Sequence, residues 1–299
     1  MPVTELASTS RTNNPTLTSD LLEIFFTSDR DSGNGDVWSA SRARAGAPFD
    51  APAPVAEVNT TLFETSSAIS GDGLTLWFGS DRAGGVGGLD VWVSTRETRT
   101  SPWSTPVNVV ALSSTADDIP RPPGQHGLVM PMASTRMVAG LYSTFLSARA
   151  TRGAPFGTPV EIPELTYRDR STVDACLTDD GLTMFFSSAA APAPADAAVA
   201  DGGTVVPTSD LYVAWRRATS EPFSVTQPLT DLNTTADERD PWLTPDGSTL
   251  YFTSDRGGVL NIYSAPVLPR CARRPVNSPG VASRRELQSG RASWRPGRR

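Results

Sequence analysis

Apolar positions along this chain come in short runs with a long period. An aliphatic residue is followed by an aromatic one at Val37-Trp38, Val91-Trp92, Leu141-Tyr142, Leu211-Tyr212 and Ile262-Tyr263. Each pair closes a pattern that returns roughly every 50 to 60 residues, a period that marks stacked supersecondary units. The fullest copy runs from Ile69 through Asp72-Gly73, Trp77-Phe78 and Ser80-Asp81-Arg82 to Asp90-Val91-Trp92. The others follow from Leu17 to Trp38, from Asp180-Gly181 to Tyr212, and from Leu243 to Tyr263.

Each unit reads as four strands. A first strand ends in an Asp-Gly turn (Asp72-Gly73, Asp180-Gly181, Asp246-Gly247), where glycine takes a positive φ without steric cost. The second carries paired apolar residues (Phe25-Phe26, Trp77-Phe78, Phe185-Phe186, Tyr251-Phe252), which suits burial on both faces. A Ser-Asp-Arg loop follows at Asp29-Arg30, Asp81-Arg82 and Asp255-Arg256, and the third strand holds the aromatic column. Then come Pro48-Phe49, Pro102-Trp103, Pro155-Phe156 and Pro222-Phe223. A fourth strand at Pro54-Val55, Pro106-Val107, Pro159-Val160 and Pro228-Leu229 has prolines that fit an edge position.

Four antiparallel strands repeated five times predict an all-β chain, a five-bladed β-propeller. The units span about residues 14–60, 66–112, 119–165, 174–232 and 240–268. The fifth lacks its fourth strand, and the chain opens with Pro2-Val3-Thr4-Glu5-Leu6, the counterpart of Pro228-Leu229-Thr230-Asp231-Leu232. Residues 1–9 are therefore expected to complete the last blade and remove two open sheet edges. An open array missing upstream blades is the alternative. Unit three is worn: Gln125-His126 stands for the Asp-Gly turn, Pro131 interrupts the second strand, and Gly140 precedes Leu141. Unit four carries an insertion from about Ala189 to Ser209, rich in Ala, Pro, Asp and Gly, expected to be flexible.

Charge changes the picture at one end. Nine of the 26 basic residues, all arginine, and one of the 32 acids fall in 270–299, leaving 17 Arg against 31 acids in the body. The propeller is thus acidic and should repel nucleic acid. Residues 269–299 read as a disordered basic tail, either an arm for an anionic surface or an out-of-frame read-through. No apolar run is long enough to span a membrane. The start, Met1-Pro2-Val3-Thr4-Glu5-Leu6, has no secretory signature, as expected of a cytoplasmic protein or of a sequence that is processed or begins downstream of its natural start. Cys176 reads as a buried inert thiol and Cys271 as a free one.

The stretch Leu243-Thr244-Pro245-Asp246-Gly247-Ser248-Thr249-Leu250-Tyr251-Phe252-Thr253-Ser254-Asp255-Arg256, followed by Asn261-Ile262-Tyr263, resembles the WD-repeat-like propeller repeats of the TolB type. That resemblance covers nearly all of 1–268. It implies a bacterial, mostly non-catalytic module of the envelope, periplasmic or extracellular. Five units instead of TolB's six, and no partner domain, depart from that family.

Repetition argues that the loop acids and arginines Asp29, Arg30, Asp81, Arg82, Asp255 and Arg256 are structural, the Asp bonding its own turn and the Arg tying adjacent blades. The same reading covers Asp36, Asp90 and Asp210 at the head of the third strand, and the column members Trp38, Trp92, Tyr212 and Tyr263. A site is better sought where the units differ, in the connections leading to the channel mouth. There Asn14, Ser66, Ile119, Asp174 and Asp240 align in one column, with Glu64, Asp118, Glu238 and Arg239 close by. Such an acidic funnel suits a protein segment or a glycan. The alternative is a five-bladed glycoside hydrolase using Asp174, Asp240 and Glu64. A hydrolytic triad and a Cys/His zinc site are disfavoured by a single histidine, His126. No cofactor or metal is expected.

Overall fold

A computed structural model describes residues 1–31, 33–189 and 208–267. Five antiparallel sheets form a ring, a five-bladed β-propeller, with no α-helix among the described residues. Blade 1 comprises β1 (Thr12–Leu17), β2 (Glu23–Ser28), β3 (Asp36–Ser41) and β4 (Ala53–Pro54). Blade 2 comprises β5 (Glu64–Ile69), β6 (Thr75–Ser80), β7 (Asp90–Thr95) and β8 (Val107–Asn108). Blade 3 comprises β9 (Asp118–Pro120), β10 (Val129–Val138), β11 (Leu141–Ala148) and β12 (Val160–Glu161). Blade 4 comprises β13 (Thr172–Leu177), β14 (Thr183–Ala189), β15 (Ser209–Trp215) and β16 (Val225–Pro228). Blade 5 contributes β17 (Glu238–Leu243), β18 (Thr249–Ser254) and β19 (Asn261–Pro266).

The missing outer element of blade 5 comes from the N-terminus. Pro2 bridges Tyr263, Val3 N–H donates to Ile262 O (2.9 Å), and Ser264 N–H donates to Met1 O (2.8 Å). A 3-10 turn at Thr4–Leu6 then seats Leu6 fully buried in a cluster with Phe252, Ile262 and Tyr263. β17 packs on β1, so the first and last blades meet. Ring closure by the opening residues is thus observed, in the register expected from Pro228–Leu232: Val3 N–H bonds as Leu229 N–H does to Leu211 O.

The turn chemistry is local. In blade 2, Asp72 Oδ1 accepts from Ser70 Oγ (2.6 Å) and Leu74 N–H (3.0 Å), while Gly73 supplies φ 78°. The second strands are buried along nearly their whole length, as their apolar pairs require.

Unit three departs from the sequence expectation at several points. Met132 pairs with Phe145, as Phe78 pairs with Trp92, so Phe145 and not Leu141-Tyr142 continues the aromatic column. Gly140, at φ 78°, turns a tight hairpin between β10 and β11 and does not replace a strand-head Asp. The Asp-Gly turn is replaced one residue later than the spacing suggested: Gly127 (φ 85°) holds the glycine position, and Gln125 (50°) and His126 (56°) before it are left-handed as well. Ser134 and Arg136 form that blade's Ser-x-Arg element, which an intervening Thr135 disguised. In the outer strands of blades 2 and 3, Val107 and Val160 are exposed, and Val109 and Ile162 make the bonds equivalent to that of Val55.

Two arginine devices hold the blades. Arg82 stacks on Phe78 and Trp92, donates to Glu64 Oε1 (2.9 Å), and reaches Val58 O in the link from blade 1 (2.5 Å). Arg256 does the same with Phe252, Tyr263, Glu238 and Leu232 O, and Arg136 with Phe145, Asp118 and Leu112 O. Arg30 stacks on Phe26 and Trp38 and reaches Leu6 O, with Thr12 in place of the acid. The neighbouring Asp81 and Asp255 bond not their own turn but the approach to the first strand, at Phe63 N–H (3.0 Å) and Asp237 N–H (2.9 Å). Asp29 instead pairs with Arg11 (3.1 Å).

The second device was not read from the sequence. Arg42, Arg96, Arg149 and Arg216 lie over Phe49, Trp103, Phe156 and Phe223, 4.3 to 4.6 Å from each ring centre. Each aromatic plugs a seam with the preceding blade, as where Trp103 meets Phe25 edge-on at 5.9 Å and Phe156 meets Trp77 at 6.0 Å. The Pro-Phe and Pro-Trp repeats are therefore interblade hooks. The insertion of unit four, Cys271 and the Arg-rich tail lie outside the described residues.

Candidate functional site

A funnel of about 410 Å³ opens on the face carrying the links into each first strand. Its geometry comes from a backbone irregularity shared by four blades. The first strands lose register after Asn13, Thr65, Val173 and Arg239, and the next residue takes a left-handed conformation. These are Asn14 (φ 54°), Ser66 (52°), Asp174 (61°) and Asp240 (55°). Such bulges re-aim a side chain, and Asn and Asp tolerate that φ better than most residues. The column expected from the sequence is thus present in these four members. Its third-blade member is Pro120 and not Ile119: Asp118 pairs with Ser134 as Glu64 pairs with Ser80, so Ile119 aligns with Thr65. A proline cannot take positive φ, and blade 3 has no bulge there.

Asp240 and Asp174 form the acidic floor, both nearly buried (2 % and 5 % exposed). Asp240 accepts from Asn14 Nδ2 (2.5 Å) and Thr253 Oγ1 (2.7 Å), and Asp174 from Ser187 Oγ (2.5 Å). Beside Asp240 lies Arg121, fully buried, which crosses from blade 3 to blade 5. Its Nη1 is 3.8 Å from Asp240 Oδ1 and its Nη2 3.5 Å from Pro241 O. Burial, reinforced by the charge of Asp174 and opposed by Arg121, raises the Asp240 pKa to about 7.

That shift has a stability consequence. A carboxyl that holds its proton more tightly when folded contributes stability in full below its unfolded pKa near 4, lost as pH rises through about 7. Asp240→Asn is therefore expected to flatten the stability profile over that window and to be the more stable protein above it. Unfolding midpoints across the window check this; an unchanged slope in the variant would overturn it.

The other acids of the expected site are placed elsewhere. Glu64, Asp118 and Glu238 are fully buried in the blade clasps. Glu64 takes bonds from Thr60 N–H, Thr60 Oγ1, Ser80 Oγ and Arg82. Glu238 repeats this with Thr234, Ser254 and Arg256, and Asp118 with Ser114 and Arg136. Their oxygens are occupied, and none faces the funnel. The strand-head Asp90 likewise closes its own loop, at Val86 N–H (2.6 Å) and Gly87 N–H (3.1 Å). Asp36, the equivalent of Asp90 in blade 1, is buried, and Asp210, the equivalent in blade 4, has its pKa raised by burial and by Glu238.

At the rim, charges neutralise one another. Arg239 bonds Asp237 (2.6 Å) and Arg170 lies against Asp169 (3.4 Å). Burial opposes the Arg239 charge, yet its bond to Asp237 and the fields of Asp237, Asp174 and Asp240 raise its pKa. The walls are apolar and aromatic: Phe63, Leu89, Ile119, Leu141, Tyr142 and Val173. Burial, then Asp117 and Asp174, push the Tyr142 hydroxyl up. Tyr142 reaches the funnel because the blade 3 hairpin is extended, and Arg121 follows Pro120, where blade 3 lacks the bulge of the other four blades. Both were signalled only by the departures of unit three from the repeat. His126 lies outside the funnel, exposed beside Asp179. Among the described residues no group of His, Cys, Asp and Glu could hold a metal ion.

No family model matches the sequence, and no curated protein matches it. Among solved structures it is similar to an Agrobacterium tumefaciens protein assigned as TolB (TM-score 0.52, 12 % identity, 87 % of this chain and 78 % of that one). It is similar also to TolB of Acinetobacter baumannii (0.50, 15 %, 88 % of this chain and 56 % of that one). The endo-arabinase of Bacteroides thetaiotaomicron aligns at 0.56 with 12 % identity, over 90 % of this chain and 96 % of that one. At such identities the likeness is one of fold. TolB propellers and a propeller glycosidase stand side by side among the neighbours.

Proposed function

We propose that this propeller is a non-catalytic binding module whose funnel receives a protein segment presenting a cationic side chain, an arginine or a lysine. The observation that carries this is the charge balance of the floor: of two buried carboxylates, Asp174 and Asp240, only Asp240 has a buried cation near it, Arg121 at 3.8 Å, while the rim charges pair among themselves. A ligand cation would supply the missing charge in a site where little water screens it. Asn13 Oδ1 and Arg239 Nε, both lining the funnel, are buried without a hydrogen-bond partner among the described residues and suit a peptide backbone. A glycan is the weaker ligand. All six described tryptophans are at most 9 % exposed, so stacking on a sugar ring would fall to Phe63 and Tyr142 alone. An exported, envelope-associated setting follows from the resemblance to TolB repeats and belongs to this proposal. Among the described residues no helix is long and apolar enough to cross a membrane.

Calorimetric titration with short arginine- and lysine-bearing peptides tests the reading. Asp174→Asn with Asp240→Asn is expected to weaken binding by roughly tenfold to a hundredfold, since a hydrogen bond to a charged group contributes about 1.5–3 kcal/mol. Binding should also strengthen as pH rises through about 7, where Asp240 ionises. Equal affinity in variant and native protein would sink it. The second reading, a glycosidase, is favoured by the raised pKa of Asp240 beside Asp174, the pattern of an acid and base set apart by environment. Release of sugar from arabinan, lost in the same variant, would replace the binding module by an enzyme.

A further inference from the structure

Four of the five blades carry the arginine–aromatic hook, and blade 5 does not among its described residues. Counting from the column, Tyr263 is followed at the hook arginine's place by Val267, where the other blades have Arg42, Arg96, Arg149 and Arg216. The seam that this hook would close, between blades 4 and 5, contains an apolar notch of about 210 Å³. Its walls match those of the filled seam between blades 1 and 2. Phe185, Leu229, Leu232 and Leu250 stand where Phe25, Val55, Val58 and Leu76 surround Trp103. Leu232 remains partly exposed, whereas its counterparts Leu6, Val58, Leu112 and Leu165 are all 0 % exposed. A cavity of about 150 Å³ with such a lining already accepts benzene, so the notch has room for one aromatic ring.

A polar handle is in place as well. In two filled seams the backbone N–H of the hook aromatic donates to an acid one residue before the buried leucine: Phe49 to Glu5 (3.1 Å) and Phe223 to Glu164 (2.7 Å). Asp231 occupies that position here, lines the notch, is exposed, and has no hydrogen-bond partner among the described residues. Among the described residues nothing supplies the notch with an aromatic side chain and its N–H next to an arginine.

We propose that the notch between blades 4 and 5 is the docking site for this chain's own continuation, with Trp294 as the aromatic plug. The chain passes the rim at Val267, a notch residue, and 268–299 follow it directly. That stretch holds one aromatic residue, Trp294, flanked by Arg291 and Arg295, and its basic charge complements Asp231. The hook spacing of the other blades is not repeated; the chemistry is. Docking converts the tail into a second clasp over the seam beside the ring closure, independently of what the funnel binds.

The test uses the intact chain labelled with 5-fluorotryptophan, in which the Trp294 fluorine resonance is assigned by its loss in Trp294→Ala. Docking places that resonance away from the free-tryptophan position. It should return there in Asp231→Arg, a surface change that leaves the core intact, or on adding a peptide of residues 96–103, the blade 2 hook. Trp294→Ala should lower the unfolding midpoint by about 3–6 °C, the scale for an anchor in a domain of this size, and should have no effect in the Asp231→Arg background. A Trp294 resonance at the free position overturns the assignment, whether or not the hook peptide binds. So does a shift that appears only as the protein dimerises, which would make a second copy the occupant.

Discussion

Removing residues 1–9 is expected to abolish the cooperatively folded ring and not merely to shorten it. The segment contributes the outer element of blade 5 through bonds to Ile262 and Ser264, and it buries Leu6 completely against Phe252, Ile262 and Tyr263. Truncating one such leucine to alanine costs about 2–5 kcal/mol, and a whole domain is stable by only about 5–15 kcal/mol. Loss of the segment also uncovers the β19 edge and deprives Arg30 of its acceptor at Leu6 O. Thermal unfolding followed by circular dichroism, with sedimentation to detect edge-to-edge association, measures the effect. Leu6→Ala provides the graded control, expected to lose about 2–5 kcal/mol with the fold retained. A truncated chain melting within a few degrees of the native one would mean that the ring is held by the seams alone.

Glu64→Ala is expected to destabilise the protein by about 3–5 kcal/mol, the scale for breaking a buried ion pair from one side. The Glu64 side chain is fully buried and that of Arg82 only 11 % exposed. Removing the acid leaves the guanidinium against Phe78 and Trp92 with Val58 O and Ser80 Oγ as its remaining partners. Thr60 N–H and Oγ1 lose their acceptor in the same step. Glu64→Thr is the informative companion, because blade 1 carries Thr12 at this position, bonded to Arg30 (3.3 Å) and Ser28 (3.1 Å). It should recover part of the loss. Urea denaturation gives both values, and a loss below about 1 kcal/mol for the alanine variant would assign the clasp to the weak class of surface pairs.

The clasps explain why three of the expected site residues lie outside the funnel. Glu64, Asp118 and Glu238 stand out in the sequence because they differ from the threonines of blades 1 and 4. That difference signals which blades carry an acid under the arginine, not a ligand. Residues two positions further on, Asn14, Ser66, Asp174 and Asp240, do face the axis, and only the bulge decides it, by reversing the alternation of the strand. In unit three the aromatic column continues at Phe145, three residues after Tyr142, while the column position of the first strand (Pro120) and the turn glycine (Gly127) each fall one residue after Ile119 and His126.

Blade number, strand order, ring closure by the first residues and the buried second strands were all legible in the sequence. Period, turn glycines and apolar runs are short-range properties, and each repeat restates them. Tertiary structure alone decided which acids are consumed by arginine clasps, that Arg121 is buried 3.8 Å from Asp240, and that the seam between blades 4 and 5 has no aromatic plug among the described residues. These depend on contacts between residues far apart in the chain and on a backbone bulge, which no local pattern encodes. The same side chain is a strut or a ligand contact according to which partner the ring brings within about 3 Å of it.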